Sequence, residues 1–438
     1  MLNEQNYELF SSEKVKKAIL ANEKILVTCG EMKNMQATLI LITESFPYGG
    51  ITETPFVSAE IDALSHEWDR VILMPMVNRG DAFDLSPWPN VEVCDDWINC
   101  ADNRIKSRRA VYLMSVDVIR SAMSSHKYSD MTFALSAVAF KRFLKRYMAR
   151  HGLSAENTLV YTFWLDYPTM GALMAADGLK VVSRAHGYDV VSRRAMSLRE
   201  RVIGAITGIY AASMHSCESL QRTYPQISDK ITVSYLGSRK PLGMSTCHVK
   251  ADNKLTFMSC SRVEPVKNVC SNYRLIKALA IARPGTSFKW IHIGSGSEMP
   301  RLRQMVSESV PSNLTVEIRG AEPNDKVHGA YISEPIDWFM LLSSYEGCPI
   351  ALCEALSYGI PVIATDVGGT SEMVDDDCGL LMPVDPEPEE FVRGILPYLE
   401  SELRYGMLRD SALRKWQTGF SADSLRREFA KKLRMLLS

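Results

Sequence analysis

The chain has 438 residues, too many for one hydrophobic core, and its length predicts two domains that each bury an interior without metal or disulfide staples. Fifty Lys and Arg stand against 51 Asp and Glu, so no global charge draws the chain to nucleic acid or to an anionic membrane, and such affinity would need a local patch. Ten scattered cysteines with no C-x-x-C pair, many in apolar runs such as "LTFMSC" and "ALCEA", predict reduced, packed thiols and a cytoplasmic protein rather than a disulfide framework.

No window reaches the ~18–20 uninterrupted apolar residues of a spanning helix, and the N-terminal stretch lacks a signal-peptide core. The first convincing strand starts after Ala37, so residues 1–36 are expected to be an N-terminal appendage, to which no role is given. Strands are then predicted at "TLILIT" (38–43), "RVILMPM" (70–76), "NTLVYTF" (157–163), "KVVSRA" (180–185), "TGIYAAS" (207–213) and "KITVSYLG" (230–237). Helix-length stretches separate them, which implies parallel βαβ units and a doubly wound α/β sheet over 37–240.

Residues 241–253 carry Pro, Gly, Ser and charge without a period and are expected to be a linker. The pattern restarts with "KLTFMSC" (254–260), "SFKWIHIG" (287–294), "NLTVEIRG" (313–320), "PIDWFMLLSS" (335–344) and "IPVIAT" (360–365), a second sheet of the same kind over 254–420. Residues 421–438 are expected to form a helix that crosses back to the first domain. Open parallel sheets bind ligands beyond the carboxyl ends of their strands, so two of them on one linker place ligands in the cleft between.

The segment "AFKRFLKRYMARHG" (139–152) puts five basic residues around Phe140, Phe143, Leu144, Tyr147 and Met148. Two readings fit: a helix lying on an anionic leaflet, or a domain helix with a charged outer face.

The densest chemical signal is "SSYEGCPIALCEALSYGIPVIATDVGG" (343–369). Glu346 follows a strand, Pro349 can open a helix at its first position, and Gly359 can close it. Glu354 lies inside that helix, which is apolar around nearly its whole circumference. A carboxylate there costs several kcal/mol unless something hydrogen-bonds to it. The string resembles the E-x7-E signature of retaining glycosyltransferases of the GT-B fold, the large family four also called glycosyl transferases group one, and the resemblance runs from residue 38 to about 437.

That resemblance implies two Rossmann-like domains facing across a cleft, an acceptor domain first and a donor domain second. It implies a nucleotide diphosphate sugar donor and a glycan or lipid-linked glycan acceptor in capsule, exopolysaccharide or lipopolysaccharide synthesis. No nucleic-acid partner, cofactor or metal is implied, and the location is the cytoplasm or the inner face of the plasma membrane. Carried over, Glu346 contacts the transferred sugar and Glu354 the ribose, with the loop Gly347, Cys348, Pro349 and Ile350 beside them, whose non-proline residues offer backbone amides. Cys348 departs from the Phe of many relatives.

In "SRVEPVKN" (261–268), Arg262 and Lys267 keep the spacing with which relatives grip the diphosphate; taken alone they could be two surface cations. In "TESFPYGG" (43–50), Gly49 and Gly50 stand where relatives bring backbone amides to phosphate, or mark an ordinary turn. His186, in "SRAHGYDVV" (183–191), corresponds to a His near the transferred sugar. Gly294 and Gly296 would border the nucleotide, and Arg319 its base. Met299 stands where a dinucleotide fingerprint needs its third glycine, which argues against a dehydrogenase. A sugar-nucleotide epimerase and a catalytically silent GT-B protein that binds glycans or partners stay open at this point.

Overall fold

The computed structural model describes residues 36–49, 53–99, 128–192, 196–241, 243, 245 and 253–437. Gly50, residues 1–35 of the appendage and most of the 241–253 segment lie outside the described residues.

The first sheet holds β1 (Thr38–Thr43), β2 (Arg70–Pro75), β3 (Val91–Val93), β4 (Thr158–Thr162), β5 (Lys180–Ala185), β6 (Gly208–Ala211) and β7 (Ile231–Val233) in the order 3-2-1-4-5-6-7. The second holds β8 (Lys254–Cys260), β9 (Ser287–Ile293), β10 (Leu314–Gly320), β11 (Trp338–Leu341), β12 (Val362–Thr365) and β13 (Gly379–Met382) in the order 10-9-8-11-12-13. Every pairing is parallel. The central strands are buried along most of their length because helices cover both faces. Strand order reverses between β1 and β4 and between β8 and β11, which is where open α/β sheets leave a crevice for ligands.

The edge strands β3 and β13 have only three and four residues, and neither is among the strands expected from the sequence. Two expected strands are shorter than their apolar stretches. The ladder of β11 covers only Trp338–Leu341, because the Asp337 side chain accepts the Thr256 amide at 2.7 Å. β7 stops at Val233 because the chain then turns toward the other domain: Ser238 bridges Ser421, with Ser238 N–H on Phe420 O and Ala422 N–H on Ser238 O, both 3.0 Å.

The chain thus passes between domains twice, side by side. After the second passage, α14 (Ala422–Met435) lies against α1 (Thr54–Glu67) and buries Phe429, Ala430 and Leu433 in the core of the first domain. The guanidinium of Arg184 sits 4.0 Å over the Phe429 ring. The long helix α2 (Tyr128–Arg150) turns Phe140, Leu144, Tyr147 and Met148 into the sheet and leaves Arg142, Lys145, Arg146 and Arg150 outward. This decides between the two readings of 139–152: its apolar face is core, and only its charged face is exposed. Among the described residues no helix is long and apolar enough to cross a membrane.

Candidate functional site between the two domains

The loop after β8 and the loop after β9 are zipped together by backbone. Ser261 N–H donates to Ile293 O at 3.1 Å and Val263 N–H to Ser295 O at 3.0 Å. Glycine is required for this approach, because a Cβ on Gly294 would fall 1.8 Å from Ser261 O, and one on Gly296 2.4 Å from Val263 O. The paired loops set the frame for Arg262, exposed beside Glu264, and for Lys267, which ends the tight turn Pro265–Lys267.

Lys267 reaches across the switch point to the loop after β11, donating from Nζ to Glu346 Oε1 at 2.6 Å. The Ser343 hydroxyl donates to the same oxygen at 2.6 Å. Glu346 is thus a nearly buried carboxylate held in one orientation by a cation and a hydroxyl. Behind it, Gly369 N–H donates to Glu346 O at 3.3 Å.

Helix α10 (Ile350–Ser357) starts one residue later than the sequence suggests: Pro349 is its N-cap, with an extended ψ of 97°, rather than its first helical residue. It ends in the left-handed Gly359, φ 65°, with Ile360 N–H on Ala355 O at 3.1 Å. Its apolar circumference is explained by burial on both sides. Glu354 faces the gap between the domains, in a cavity lined by Pro55, Phe56, Ser238 and Arg426 from one side and Asn324, His328 and Ile350 from the other. Its hydrogen-bond partner is Asn324 Nδ2 at a long 3.4 Å, and His328 Nε2 lies 3.7 Å away. Burial, offset a little by Asn324, pushes its pKa up to about 7. A carboxylate so placed has acceptor capacity left for hydroxyls entering the cavity.

The two domains touch at His186-Gly187 and Glu346-Gly347. A Cβ on Gly347 would lie 2.8 Å from Gly187 N, and Tyr345 Oη donates to Gly187 O at 3.2 Å. His186 is wedged between Phe163 and Trp164, ring centroids 4.7 and 4.4 Å away. Its Nε2 is 2.9 Å from Phe163 O, which can only accept, so Nε2 carries the proton. Burial, and then the charge of Arg184, lowers its pKa to about 3, so the imidazole is neutral. Cys348 is a neutral thiol, pushed up to about 12 by burial.

Gly49 belongs to a turn whose donors are used within the protein. Its N–H donates to Asp81 O at 2.9 Å, and the amides of Glu44, Ser45 and Phe46 all donate to the buried Glu53 carboxylate at 2.6, 2.7 and 3.1 Å. Arg319 is committed to Glu317 and Glu334 on the outer side of the second sheet. Asp375 pairs with Lys415, and Asp95 accepts from the Tyr48 hydroxyl. The structure thus brings Lys267, Glu346 and His186 together where the domains touch, turns Glu354 into a cavity between the domains, and leaves Arg262 exposed beside Glu264 and Arg319 tied to its own acids.

Two residues outside the sequence reading shape this cleft. Glu53 fixes the loop after β1, and no local pattern separates it from any acid at a helix start. Glu372 accepts the backbone amides of Met214 and His215, at the start of α6 (Met214–Thr223), at 2.7 and 2.8 Å, and the Tyr235 hydroxyl at 2.8 Å. It joins the domains through contacts between positions far apart in the chain, with no sequence signal.

Two doubly wound parallel-sheet domains facing across a cleft define a GT-B-fold protein. Residues 247–415, which span most of the second domain, match the family described as Glycosyl transferases group 1. Among curated relatives, the chain is 32% identical over 130 residues to a phosphatidylinositol N-acetylglucosaminyltransferase component of Arabidopsis thaliana, covering 28% of each protein. It is 33% identical over 106 residues to the putative colanic acid biosynthesis glycosyltransferase WcaL of Escherichia coli K12, covering 23% of this chain and 25% of the relative. The chain thus spans about a quarter of the length of these relatives. Solved structures share the fold along the chain. The lipopolysaccharide outer core galactosyltransferase WaaB superposes with TM-score 0.63 at 17% identity, over 91% of this chain and 99% of that one. Sucrose-phosphate synthase of Thermosynechococcus elongatus gives 0.66 at 16% identity over 92% and 99%. Anabaena HepE with UDP and glucose gives 0.59 at 19% identity over 90% and 98%.

Proposed function

We propose that the protein is a retaining glycosyltransferase that moves a sugar from a nucleotide diphosphate sugar to a hydroxyl of a glycan or lipid-linked glycan, in assembly of a surface polysaccharide. The observation that carries this reading is Glu354, a buried carboxylate with one long hydrogen bond, turned into the interdomain gap. A ribose diol supplies two hydroxyl donors to such a group. HepE, bound to UDP and glucose, and WcaL, named for colanic acid, support the donor class and the pathway.

In this reading the acceptor oxygen bonds to the anomeric carbon on the face from which the diphosphate leaves. The C–O bond to phosphate breaks, and the acceptor's proton passes to a leaving phosphate oxygen. Lys267 and Arg262 stabilise the charge that builds there, the role a metal has elsewhere, and Glu346 orients the sugar. The neutral His186 presents no charge to the sugar it borders. Transfer is proposed to proceed without added metal, at the cytoplasmic face.

A thermal-shift panel of UDP-, GDP- and ADP-sugars tests the donor assignment, because a ligand that binds only the folded state raises the melting temperature. One nucleotide class is expected to shift it, with EDTA making no difference. No shift from any of them overturns the donor reading, and a requirement for a divalent cation overturns the metal-free one.

A further inference from the structure

The cavity in front of Glu354 also holds a cation with nothing to balance it. Arg426 of α14 lines its first-domain side and is only 6% exposed, yet its Nε has no hydrogen-bond partner, and among the described residues its guanidinium enters no ion pair. The buried acid whose charge reaches it, Glu60, is already taken by Arg184 Nε at 2.7 Å and by the Tyr161 hydroxyl at 2.8 Å. Arg239, just after β7, lines the same cavity; it donates to Ser58 Oγ at 2.9 Å and has no acid partner among the described residues. Burial lowers the pKa of Arg426 to about 10; Glu60 acts against this, and the charges of Arg239 and Arg184 add to it. A buried guanidinium in this condition is costly unless an anion bonds to it.

Further donors line the same space. Ser238 Oγ accepts from Trp416 Nε1 at 2.9 Å, so its own hydrogen is left to donate, and the Asn324 amide is engaged only by the long 3.4 Å bond to Glu354. His328 is neutral, because burial and then the charge of Arg239 lower its pKa, and Glu354 is the one carboxylate in the lining, so two guanidiniums face a single acid. The cavity measures about 50 Å³. A water needs roughly 10–15 Å³, so the space admits about four waters or one tetrahedral oxyanion, whose oxygens match the guanidinium fork. Arg262, Lys267 and Glu346 do not line it. We infer that this cavity binds free inorganic phosphate, held by Arg426 and Arg239 from the first-domain side with Ser238 and Asn324 donating to it, at a place apart from the donor's diphosphate. The inference needs no nucleotide and no transfer.

Melting curves of the full chain test it, with sodium phosphate titrated against sodium chloride at constant ionic strength and no nucleotide present. Phosphate is expected to raise the melting temperature along a saturating curve, whereas general stabilisation by an excluded salt rises without saturating and is blind to single substitutions. Arg426→Met keeps the bulk of the side chain without its charge and is expected to weaken phosphate about tenfold or more. Arg239 is exposed, so Arg239→Gln leaves the core intact; it is expected to weaken phosphate about fivefold and decides alone should Arg426→Met not fold. Lys267→Ala is expected to keep the parent's response. A response to phosphate no different from that to chloride, or one that survives both arginine substitutions, overturns the inference. So does a response lost in Lys267→Ala, which would place the anion at the Lys267–Glu346 pair. Phosphate binding with no response to any nucleotide sugar would count against the donor reading alone, and the reverse result against this inference alone.

Discussion

Lys267 Nζ donates to Glu346 Oε1 across 2.6 Å, tying the loop after β8 to the loop after β11 at the point where strand order reverses. The side chains are only 21% and 9% exposed, so removing one partner leaves the other charge in poor solvent, at a cost of about 3 kcal/mol. Lys267→Ala and Glu346→Ala are each expected to lower the melting temperature by several degrees and leave a folded protein. If the pair serves the transferred sugar and the leaving phosphate, both variants lose transfer by about 10²-fold or more. Circular dichroism and a transfer assay check the two outcomes separately, and wild-type turnover in either variant removes these roles.

The Glu354 carboxyl is held by burial at about 7, above its ordinary 4.5. Between these values the folded chain keeps a proton that the unfolded chain has released. The contribution is therefore fully present below pH 4.5 and is lost as pH rises through 7, up to about 3 kcal/mol. Glu354→Gln removes this dependence, so the variant is expected to gain stability relative to the parent between pH 5 and 8. Nucleotide binding behaves oppositely if hydroxyls donate to the ionised group, growing stronger in the parent through pH 7 and staying flat in the variant. Melting curves across that range, with and without nucleotide, give both slopes.

The sheets were legible because buried parallel strands are continuous apolar runs, and the Glu346 and Glu354 loop because an acid inside such a run demands an explanation. The three-residue β3 is partly exposed and carries no such run. The aromatic period of 139–152 has the same spacing whether the helix faces lipid or a sheet, and only the fold shows that Phe140 and Leu144 are core. Glu53 acts through three backbone amides of an irregular loop, and backbone donors have no residue code. Glu372 depends on where the domains stop relative to each other, a long-range property that local pattern does not carry.

Glu372 predicts a mechanical phenotype. Its carboxylate sits at the start of α6, where exposed amides and the helix dipole favour an anion, and such contacts contribute about 0.5–2 kcal/mol. Glu372→Ala is expected to weaken the closed arrangement of the domains without unfolding either one. Small-angle scattering should record a larger radius of gyration, and kcat/KM should fall because cleft residues from the two sides meet less often. Glu372→Gln keeps an acceptor oxygen without the charge and is expected to fall between the two. Unchanged scattering for the alanine variant would mean that the remaining contacts, the Gly187–Gly347 approach and the Tyr345–Gly187 bond among them, hold the domains without it.

His186 predicts an absence of titration. With its Nε2–H on Phe163 O and its pKa lowered to about 3 by burial and then by Arg184, the imidazole stays neutral across the working range of pH. A His whose folded pKa is lowered stabilises the fold above its unfolded value of about 6.5 and withdraws that contribution as pH falls. His186→Asn removes a group that must otherwise remain uncharged against its own tendency, so the variant is expected to lose less stability than the parent between pH 6.5 and 4. In the parent, the ring resonances of this His should hold constant from pH 8 to 5, and the pH profile of kcat should show no step near 6.5 from this residue. A ring that titrates near 6.5 would place His186 in contact with water and would end the assignment of a neutral imidazole to the cleft.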